Sequence, residues 1–374
     1  MQASPDVLVR GSGCVARSLA LALGAQGLRV ALLELGASAR GTPSQAPAAQ
    51  DDVRSYALNA GAVALLRELR VWDSLPEDAV TPVYDMQVQG DASGRLGFSA
   101  WQQGVAELAY IVDAGALEAQ LAQALRFSPH VQIVSTAVAA PLTAVCEGRD
   151  SAARAERGVR FEPLATGQRA IAARLTAAVA HQGVARQWFR SPDVLALLPT
   201  SRPLADASLS LVWSLPEARA EQVLALDDAA FEAALQEATG QPLTLASPRM
   251  SWPLQLARAE PLLGPGWVLL GDAAHTVHPL AGQGLNLGLA DVAALARVIR
   301  ERESWRSLGD ERLLRRYARE RLAATWAMGE LTDGLLRLFA SDSAPLRELR
   351  NRGLSLLDAA PPLKRWLTRQ ATGN

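Results

Sequence analysis

The sequence predicts an α/β fold: a Rossmann-like domain that is discontinuous along the chain, with an inserted β-sheet domain and C-terminal helices. Residues 6–34 and 267–300 each run from an apolar strand through a glycine-rich loop into a helix, and several strand-like runs separate them. With 374 residues, the chain is long enough to bury a large core and to form more than one domain.

The N-terminal stretch predicts the order strand, helix, strand. Asp6–Arg10 is an apolar run, a helical pattern follows to about residue 26, and Leu28–Glu34 is a second strand. The intervening loop carries a GxGxxA motif formed by Gly11, Gly13 and Ala16. Gly11 permits a tight turn, Gly13 lets a pyrophosphate approach the helix N-terminus, and Glu34 is placed to accept ribose hydroxyls. This stretch therefore predicts dinucleotide binding.

The late stretch predicts a second ligand-binding loop. Val268–Leu270 is typical of a short buried strand, Gly271 and Asp272 end it, and Asn286 stands where the next helix is expected to begin. Glycines and a helix N-terminus together favour a polar, partly anionic ligand. The alternative is an ordinary strand–loop–helix connection in which Asp272 is only a cap.

At these residues the sequence resembles a known family. Residues 271–275 (GDAAH) and 278–286 (HPLAGQGLN) are similar to the second FAD motif of single-component flavin aromatic hydroxylases, especially the 2-polyprenylphenol hydroxylases of ubiquinone biosynthesis. The resemblance implies a para-hydroxybenzoate-hydroxylase-like, FAD/NAD(P)-binding fold. It implies FAD as cofactor, NADH or NADPH as co-substrate, and O₂. The substrate would be a hydrophobic phenol or quinone precursor that is hydroxylated on its ring.

The resemblance also implies roles for residues of the late stretch. Asp272, with Gly271 beside it, would hold the ribityl chain of FAD. The loop along the isoalloxazine and the helix N-terminus beyond it would supply the catalytic positions Pro279, Gly282, Gly284 and Asn286. Gly284, Leu285 and Asn286 also count as cofactor-binding, because N–H donors aimed at a reduced flavin stabilise its negative charge. We expect Gly284 to allow close backbone approach or a positive φ.

Two further segments resemble the family. Residues 52–58 match a DxRxxAL pattern in which Arg54 would reach the flavin cofactor; the alternative is a surface arginine paired with Asp52. Residues 146–154 align with a GADGxxSxxR motif, which implies cofactor contacts from Glu147 and Gly148. Without the family, that segment is simply a polar turn.

Four features depart from the family pattern. Arg10 places a charge at the end of a strand that is usually apolar, and Glu147 stands where the family has Asp. Ala114-Gly115 replaces an Asn-Arg pair, and residues 126–146 are about twenty to thirty residues shorter than in related hydroxylases. These departures favour an alternative function, a non-catalytic FAD-binding assembly subunit of a ubiquinone-biosynthesis complex.

The pattern of strands predicts the domain boundaries. Residues 1–82, 101–165 and 250–300 are expected to form the FAD-binding domain, 83–100 and 166–249 the β-sheet substrate domain, and 301–374 a helical segment. Trp188, Phe189 and Trp213 either line a substrate pocket or fill core. The arginine-rich helices after residue 311 either pack on the FAD domain or form a docking surface for a partner or a membrane.

Composition limits the remaining function classes. The net charge of −1 gives no electrostatic reason to bind nucleic acid. Two cysteines and four scattered histidines predict no disulfide framework and no metal site. The N-terminus lacks a signal pattern, so we expect a cytoplasmic protein, with a location peripheral to the inner membrane as the alternative. The oligomeric state is not predicted.

Two other flavin chemistries stay open at this stage. A flavin halogenase shares the fold but needs a catalytic lysine near the flavin, whereas Lys364 is the only lysine here. A flavin-dependent reductase of prenyl chains would differ from a hydroxylase by not consuming O₂.

Overall fold

The computed structural model describes residues 4–34, 52–90, 94–277 and 283–322. The predictions made for Pro279, Gly282, Lys364 and the helices beyond residue 322 lie outside these ranges.

The described chain contains nineteen strands. They are β1 Val7–Arg10, β2 Val30–Leu33, β3 Ser55–Leu58, β4 Val80–Val83, β5 Asp85–Gln89, β6 Arg95–Ser99, β7 Ala109–Asp113, β8 Val131–Val134, β9 Leu142–Val145, β10 Arg160–Phe161, β11 Leu164–Ala177, β12 Val184–Arg190, β13 Asp193–Thr200, β14 Ser208–Pro216, β15 Leu243–Leu245, β16 Met250–Glu260, β17 Leu263–Gly264, β18 Trp267–Leu269 and β19 His275–Thr276. The helices are α1 Cys14–Ala25, α2 Ala60–Glu68, α3 Ala100–Gln103, α4 Ala114–Arg126, α5 Ala152–Glu156, α6 Glu217–Ala225, α7 Asp228–Thr239, α8 Gln283–Arg300 and α9, residues 311–322.

A six-stranded sheet forms the nucleotide-binding half, in the order β17-β18-β9-β1-β2-β8. All neighbours pair in parallel except β17 and β18. Helix α1 packs against α4 and α8, and their apolar faces share one core with the sheet. Parallel strands covered by helices produce the near-continuous apolar runs seen in the sequence.

A larger sheet of ten strands has the order β10-β16-β11-β14-β13-β12-β5-β6, with β15 paired to β11 and β19 to β16. The hairpin β5–β6 therefore joins the four strands β11–β14, as the strand pattern suggested. A third sheet, β3-β7-β4, packs against one end of the larger one. Strand β16 runs from the larger sheet towards the β18 region, and the domain boundaries themselves remain a prediction.

The larger sheet has two different faces. Ile171, Ala173 and Leu175 of β11 belong to the core beneath helices α6 and α7. Because side chains alternate along a strand, Ala170, Ala172 and Arg174 lie on the opposite face. Trp188 and Trp213 belong to the helix-covered core, so of the two alternatives the structure supports core for both; Phe189 lies in a separate cluster with Val88 and Leu96.

Two helix boundaries differ from the sequence prediction. The sequence predicts one helix over residues 223–239, whereas the structure has two, because Asp227 caps α7 by accepting a hydrogen bond from the Ala230 N–H at 2.8 Å. Helix α8 begins at Gln283, three residues before the predicted start at Asn286.

The core beneath α7 generates a stability prediction. Phe231 is fully buried, with its ring centroid 6.3 Å from that of Trp213. Phe231→Ala should lower the free energy of unfolding by about 3–5 kcal/mol. The control Phe127→Ala, at a side chain that is 78% exposed, should change it by less than about 0.5 kcal/mol. Urea unfolding of both variants measures this, and equal losses would contradict the assignment of Phe231 to the core.

Candidate functional site

The predicted site residues meet at one edge of the six-stranded sheet. Strands β1, β2, β9 and β18 are parallel, so their carboxyl ends lie side by side, with Arg10 and Leu269 both paired to Val145. The loops that leave these ends carry Gly11, Glu34, Glu147 and Gly271. Ligands of open parallel sheets bind at this edge.

The GxG loop leaves the N-terminus of α1 open. Gly11 has φ +137°, and a Cβ there would stand 2.3 Å from the Cys146 carbonyl oxygen and 3.2 Å from the Ala16 Cβ. Gly13 is the N-cap of α1 and supplies no side-chain cap. A Cβ at Gly13 would meet no atom of the described residues within 4 Å. The first N–H groups of α1 therefore face free space, as a phosphate site requires.

Two other predicted cofactor residues are held by ion pairs. Arg17 Nε donates to Glu34 Oε1 at 3.1 Å, which fixes the carboxylate while leaving it partly exposed. Arg54 donates from Nε and Nη2 to both oxygens of Asp52 and from Nη2 to Glu118 Oε1 at 3.2 Å. The pairing with Asp52 is thus present, and the approach of Arg54 to the cofactor stays a prediction.

Glu147 and Arg10 form a largely buried ion pair, and Arg10 Nη1 also donates to the exposed Glu156 at 3.1 Å. Arg10 Nε donates to Glu147 Oε1 at 2.7 Å, while Ser151 Oγ and the Ala153 N–H each donate to Oε2 at 2.8 Å. Glu147 thus neutralises Arg10 and binds the first turn of α5. Two departures from the family pattern are therefore a single compensated interaction. Gly148 follows with φ +82° and open space where a Cβ would stand.

Arg154 connects α5 to the turn after β18. Its guanidinium is buried, donates to the carbonyls of Ala273 at 3.1 Å and Arg149 at 2.7 Å, and lies 3.4 Å from the centroid of the Phe161 ring. Arg154, at the arginine position of the GADGxxSxxR-like segment, thus places a fixed positive charge behind the loops that follow β9 and β18.

Asp272 presents its carboxylate to solvent within a recess. Gly271 has φ +58°, and Ala273 and Ala274 are buried. Within the described ranges no side chain or N–H donates to the Asp272 carboxylate, so the alternative role as a cap finds no support there. Burial by the surrounding protein raises the pKa of Asp272, while His275 and Arg149 oppose that rise. The site therefore offers an acceptor to which none of the described residues donates.

The start of α8 only partly matches the expectation. Gly284 lies inside the first turn and does not have a positive φ, so of the two expected roles only close backbone approach remains, as a prediction. A Cβ there would meet no described atom within 4 Å, which is consistent with close backbone approach. Asn286 is buried: Nδ2 donates to the Ala57 carbonyl at 2.7 Å, and Oδ1 accepts from the Asn59 N–H at 3.0 Å. It joins α8 to the segment after Arg54, with Leu285 partly buried beside it.

A buried ionic cluster that sequence reasoning missed supports this turn. Asp291 of α8 is fully buried; its Oδ2 accepts from the Gly271 N–H at 2.9 Å and His275 Nε2 at 2.7 Å, and its Oδ1 accepts from Arg321 Nε at 2.6 Å. Despite burial, these two cations hold the pKa of Asp291 below its usual range, and Asp291 raises that of His275. The sequence signal that could have revealed this cluster was Asp291 itself, a carboxylate inside the apolar stripe of α8.

Other kinds of site are not seen among the described residues. They contain no group of three or more His, Cys, Asp or Glu side chains that could hold a metal ion. None of the helices in the described ranges is both long and apolar enough to cross a bilayer.

The edge fits a flavin dinucleotide. Open space over Gly13, Gly148 and Gly284 provides a cradle for backbone contacts, and the uncapped N-terminus of α1 suits phosphates. Glu34 and Asp272 add two accessible carboxylates for hydroxyl groups. Fold and site together define an FAD-dependent oxidoreductase.

Comparison with known proteins identifies the family. The family described as FAD binding domain matches residues 126–332, more than half of the chain. Ubiquinone hydroxylase UbiL of Rhodospirillum rubrum is 30% identical over 393 residues, covering 98% of this chain and 89% of that protein. The 3-demethoxyubiquinol 3-hydroxylase of Escherichia coli is 29% identical and covered to 98% in both chains. The chain belongs to the ubiquinone hydroxylases, a family of FAD-dependent monooxygenases.

Solved structures share the fold. PqsL, a probable FAD-dependent monooxygenase of Pseudomonas aeruginosa, superposes with a TM-score of 0.75 at 18% identity, covering 94% of this chain and all of that one. The p-nitrophenol 4-monooxygenase PnpA of Pseudomonas putida gives 0.74 at 16% identity, with 100% and 99% covered. The flavin-dependent brominase Bmp2 gives 0.75 at 13% identity, with 99% and 94% covered. These likenesses establish the architecture alone.

Substitution of the two glycines of the GxG loop should affect different properties, folding stability at Gly11 and FAD affinity at Gly13. Gly11→Ala should cost about 1–3 kcal/mol of folding stability from strain at positive φ, in addition to the clash with Cys146. Gly13→Ala should change stability by less than about 1 kcal/mol yet weaken FAD at least about tenfold, because its Cβ enters the phosphate space. Urea unfolding and flavin fluorescence titration separate the two. Unchanged FAD affinity in Gly13→Ala would contradict the phosphate assignment.

Arg10 and Glu147 should depend on each other. Arg10→Ala leaves the Glu147 carboxylate without its cation, so it should cost about 3–5 kcal/mol, whereas Glu147→Ala should cost less because Arg10 keeps its ion pair with Glu156. The double variant should cost less than their sum by about 1–3 kcal/mol. Glu147→Asp should act as a partial loss, because the carboxylate retreats by about 1.5 Å. Urea unfolding of the full cycle measures the coupling, and strict additivity would refute it.

Proposed function

We propose that the protein hydroxylates the ring of a hydrophobic polyprenylphenol or quinone precursor of ubiquinone, using NADH or NADPH and O₂. The names of its relatives support this proposal, since a ubiquinone hydroxylase and a 3-demethoxyubiquinol 3-hydroxylase match nearly the whole chain. The single structural observation that carries it is the Asp272 carboxylate, to which no described residue donates, beside a glycine-lined sheet edge. When bound, FAD supplies the electron transfer and oxygen activation that side chains cannot provide.

The residues of the edge divide the binding task. The N–H groups after Gly13 would take the pyrophosphate, Glu34 the ribose and Asp272 the ribityl hydroxyls. The first turn of α8, from Gly284, would place its N–H groups and helix dipole beside the pyrimidine end of the flavin. Asn286 holds this turn against residues 57–59 and so acts on its position.

One face of the larger sheet suits an apolar substrate. Opposite the helix-covered core, Ala170 and Ala172 pair with Trp252 and Met250 on one side and with Ser214 and Val212 on the other. Small side chains in the middle and larger ones at the rim would form a shallow floor.

The contacts of Arg174 show which part of the molecule this sheet face points towards. It lies on the same face and donates to the Asp52 carbonyl at 2.9 Å and to the Asp113 carboxylate. This face is therefore turned towards the nucleotide-binding half. The arrangement supports a substrate held between the larger sheet and the flavin.

The assembly-subunit alternative now rests on fewer features. The Arg10–Glu147 pair accounts for two of the four departures, whereas Ala114-Gly115 and the short 126–146 region remain. We also propose a cytoplasmic protein that works at the periphery of the inner membrane, because a polyprenyl chain partitions into lipid. The likeness to a brominase concerns the fold alone.

Flavin reduction and oxygen incorporation test the proposal. Purified protein should be yellow, should oxidise NADH or NADPH faster when a prenylphenol is added, and should place one atom of ¹⁸O₂ in the product. Asp272→Ala should weaken FAD about tenfold to a hundredfold, since it removes a charge-assisted hydrogen bond.

The other outcomes are distinct. FAD binding with slow reduction that a prenylphenol does not accelerate would favour the assembly subunit. Substrate reduction without consumption of O₂ would favour the prenyl reductase. Full flavin content in Asp272→Ala would show that this carboxylate is not a cofactor ligand.

A further inference from the structure

One glutamine interrupts the apolar face of the larger sheet. Trp188 of β12 belongs to the core beneath α6 and α7, and side chains alternate along a strand, so Gln187 lies on the opposite face. Its register partners are Ala196 on β13 and Val88 on β5.

The pairing registers place this glutamine in a single row that crosses the sheet. Ala196 pairs with Val212, and Val212 pairs with Ala172 of the proposed substrate floor. Residues in register on neighbouring strands share a face. From strand to strand, the row therefore consists of Val88, Gln187, Ala196, Val212, Ala172 and Met250. Gln187 is the polar member of this apolar row.

The amide of Gln187 has no partner within the described parts of the chain. None of residues 4–34, 52–90, 94–277 and 283–322 forms a hydrogen bond with it. Its neighbours on this face are apolar: Ala185 and Phe189 along the strand, and Ala196 and Val88 beside it. A polar group in apolar surroundings is unfavourable unless it is hydrogen-bonded. The described residues leave this requirement to water or a ligand.

The centre of the row is accessible from outside the sheet. Val212, Ala196 and Gln187 are partly exposed, whereas Val194 and Phe189, the next residues on the same face, are buried. Solvent therefore reaches the glutamine amide while the face beside it is covered, and a ligand can take the place of that solvent.

On its other side, Gln187 is close to the sheet β3-β7-β4. Ala185, two residues away on the same face, clusters with Ile111 of β7, and Ala57 of β3 packs against this cluster. The Ala57 carbonyl accepts from Asn286, in the first turn of α8, at 2.7 Å. Gln187 thus lies next to the elements that hold the start of α8, where the flavin is proposed to bind.

We propose that Gln187 is a specificity-determining residue, whose amide N–H donates a hydrogen bond to an oxygen atom on the substrate ring while the apolar members of the row contact the prenyl chain. This inference rests on the proposed function and deepens it. A ring oxygen is common to phenols, their methyl ethers and quinones, so the amide would select an oxygenated ring. A bound substrate excludes water from the amide, and an analogue without the oxygen would leave it unpaired.

Two ligands that differ by this oxygen test the inference. A prenylphenol and the prenylbenzene of the same chain length are titrated into FAD-loaded protein, with the flavin absorption spectrum reporting binding. The wild type should bind the phenol more tightly. Gln187→Leu, whose side chain has no polar atom, should lower this preference, the ratio of the two dissociation constants, about tenfold.

The neighbouring strand offers a matched control. Gln87 of β5 is exposed and adjacent to Val88, so it lies on the opposite face of the sheet. Gln87→Leu should keep the wild-type preference. An unchanged preference in Gln187→Leu would overturn the role of Gln187 and leave the proposed function standing. Binding of neither compound by the wild type would contradict the proposed function, and this inference with it.

Unfolding of FAD-loaded protein without a ring substrate gives a second measurement. If the amide serves a ligand, Gln187→Leu should unfold at the same urea concentration as the wild type or a higher one, because leucine suits the apolar surroundings. A clearly lower midpoint would show that the amide stabilises the fold itself, and would overturn the inference.

Discussion

The desolvation of one carboxylate organises the site. Asp291 is fully buried in α8, and an isolated buried charge is strongly unfavourable, so it must collect donors. It takes them from three parts of the chain: the Gly271 N–H, the His275 ring and the Arg321 guanidinium. The turn after β18, helix α8 and helix α9 are consequently fixed to one another. The position of Asp272 depends on this cluster, although none of the described residues donates to its carboxylate.

The same requirement, that a desolvated charge must be paired, explains the loop after β9. Arg10 ends a central strand where a charge is unfavourable, and Glu147 on the adjacent strand end supplies its partner. Glu147 is longer than the aspartate of the related motif, and its oxygens also reach Ser151 and the backbone of α5. Two substitutions that suggest a degenerate motif in the sequence can thus be a single compensated ion pair in the structure. Neutralising a buried charge matters more to the fold than the identity of either residue alone.

The junction between the two halves is polar, whereas the sheet face that we propose as the substrate floor is apolar. Arg174 crosses from the larger sheet to Asp52 and Asp113, and Asp113 also caps α4 through the Ala116 N–H at 2.8 Å. The hydrogen bonds of this arginine are directional, so they set the angle of the sheet against the nucleotide-binding half. The neighbouring alanines and valine supply an apolar surface with little shape of its own. A long prenyl substrate suits such a surface because its contacts are non-directional.

Local sequence was sufficient for those features that depend on near neighbours. The βαβ opening, the GxG loop, the end of β18 and the family itself follow from periodicity and from motifs of fewer than twenty residues, since backbone propensity and turn chemistry act over that range. The partners of charged and aromatic side chains were decided only in the tertiary structure. Arg10 finds Glu147 at a separation of 137 residues, Asp291 finds Arg321 in another helix, and Trp188 and Trp213 turn towards α6 and α7. Such pairs form because an unpaired buried charge and an exposed aromatic ring are both unfavourable. Local sequence does not show which distant element will supply the partner or the covering surface.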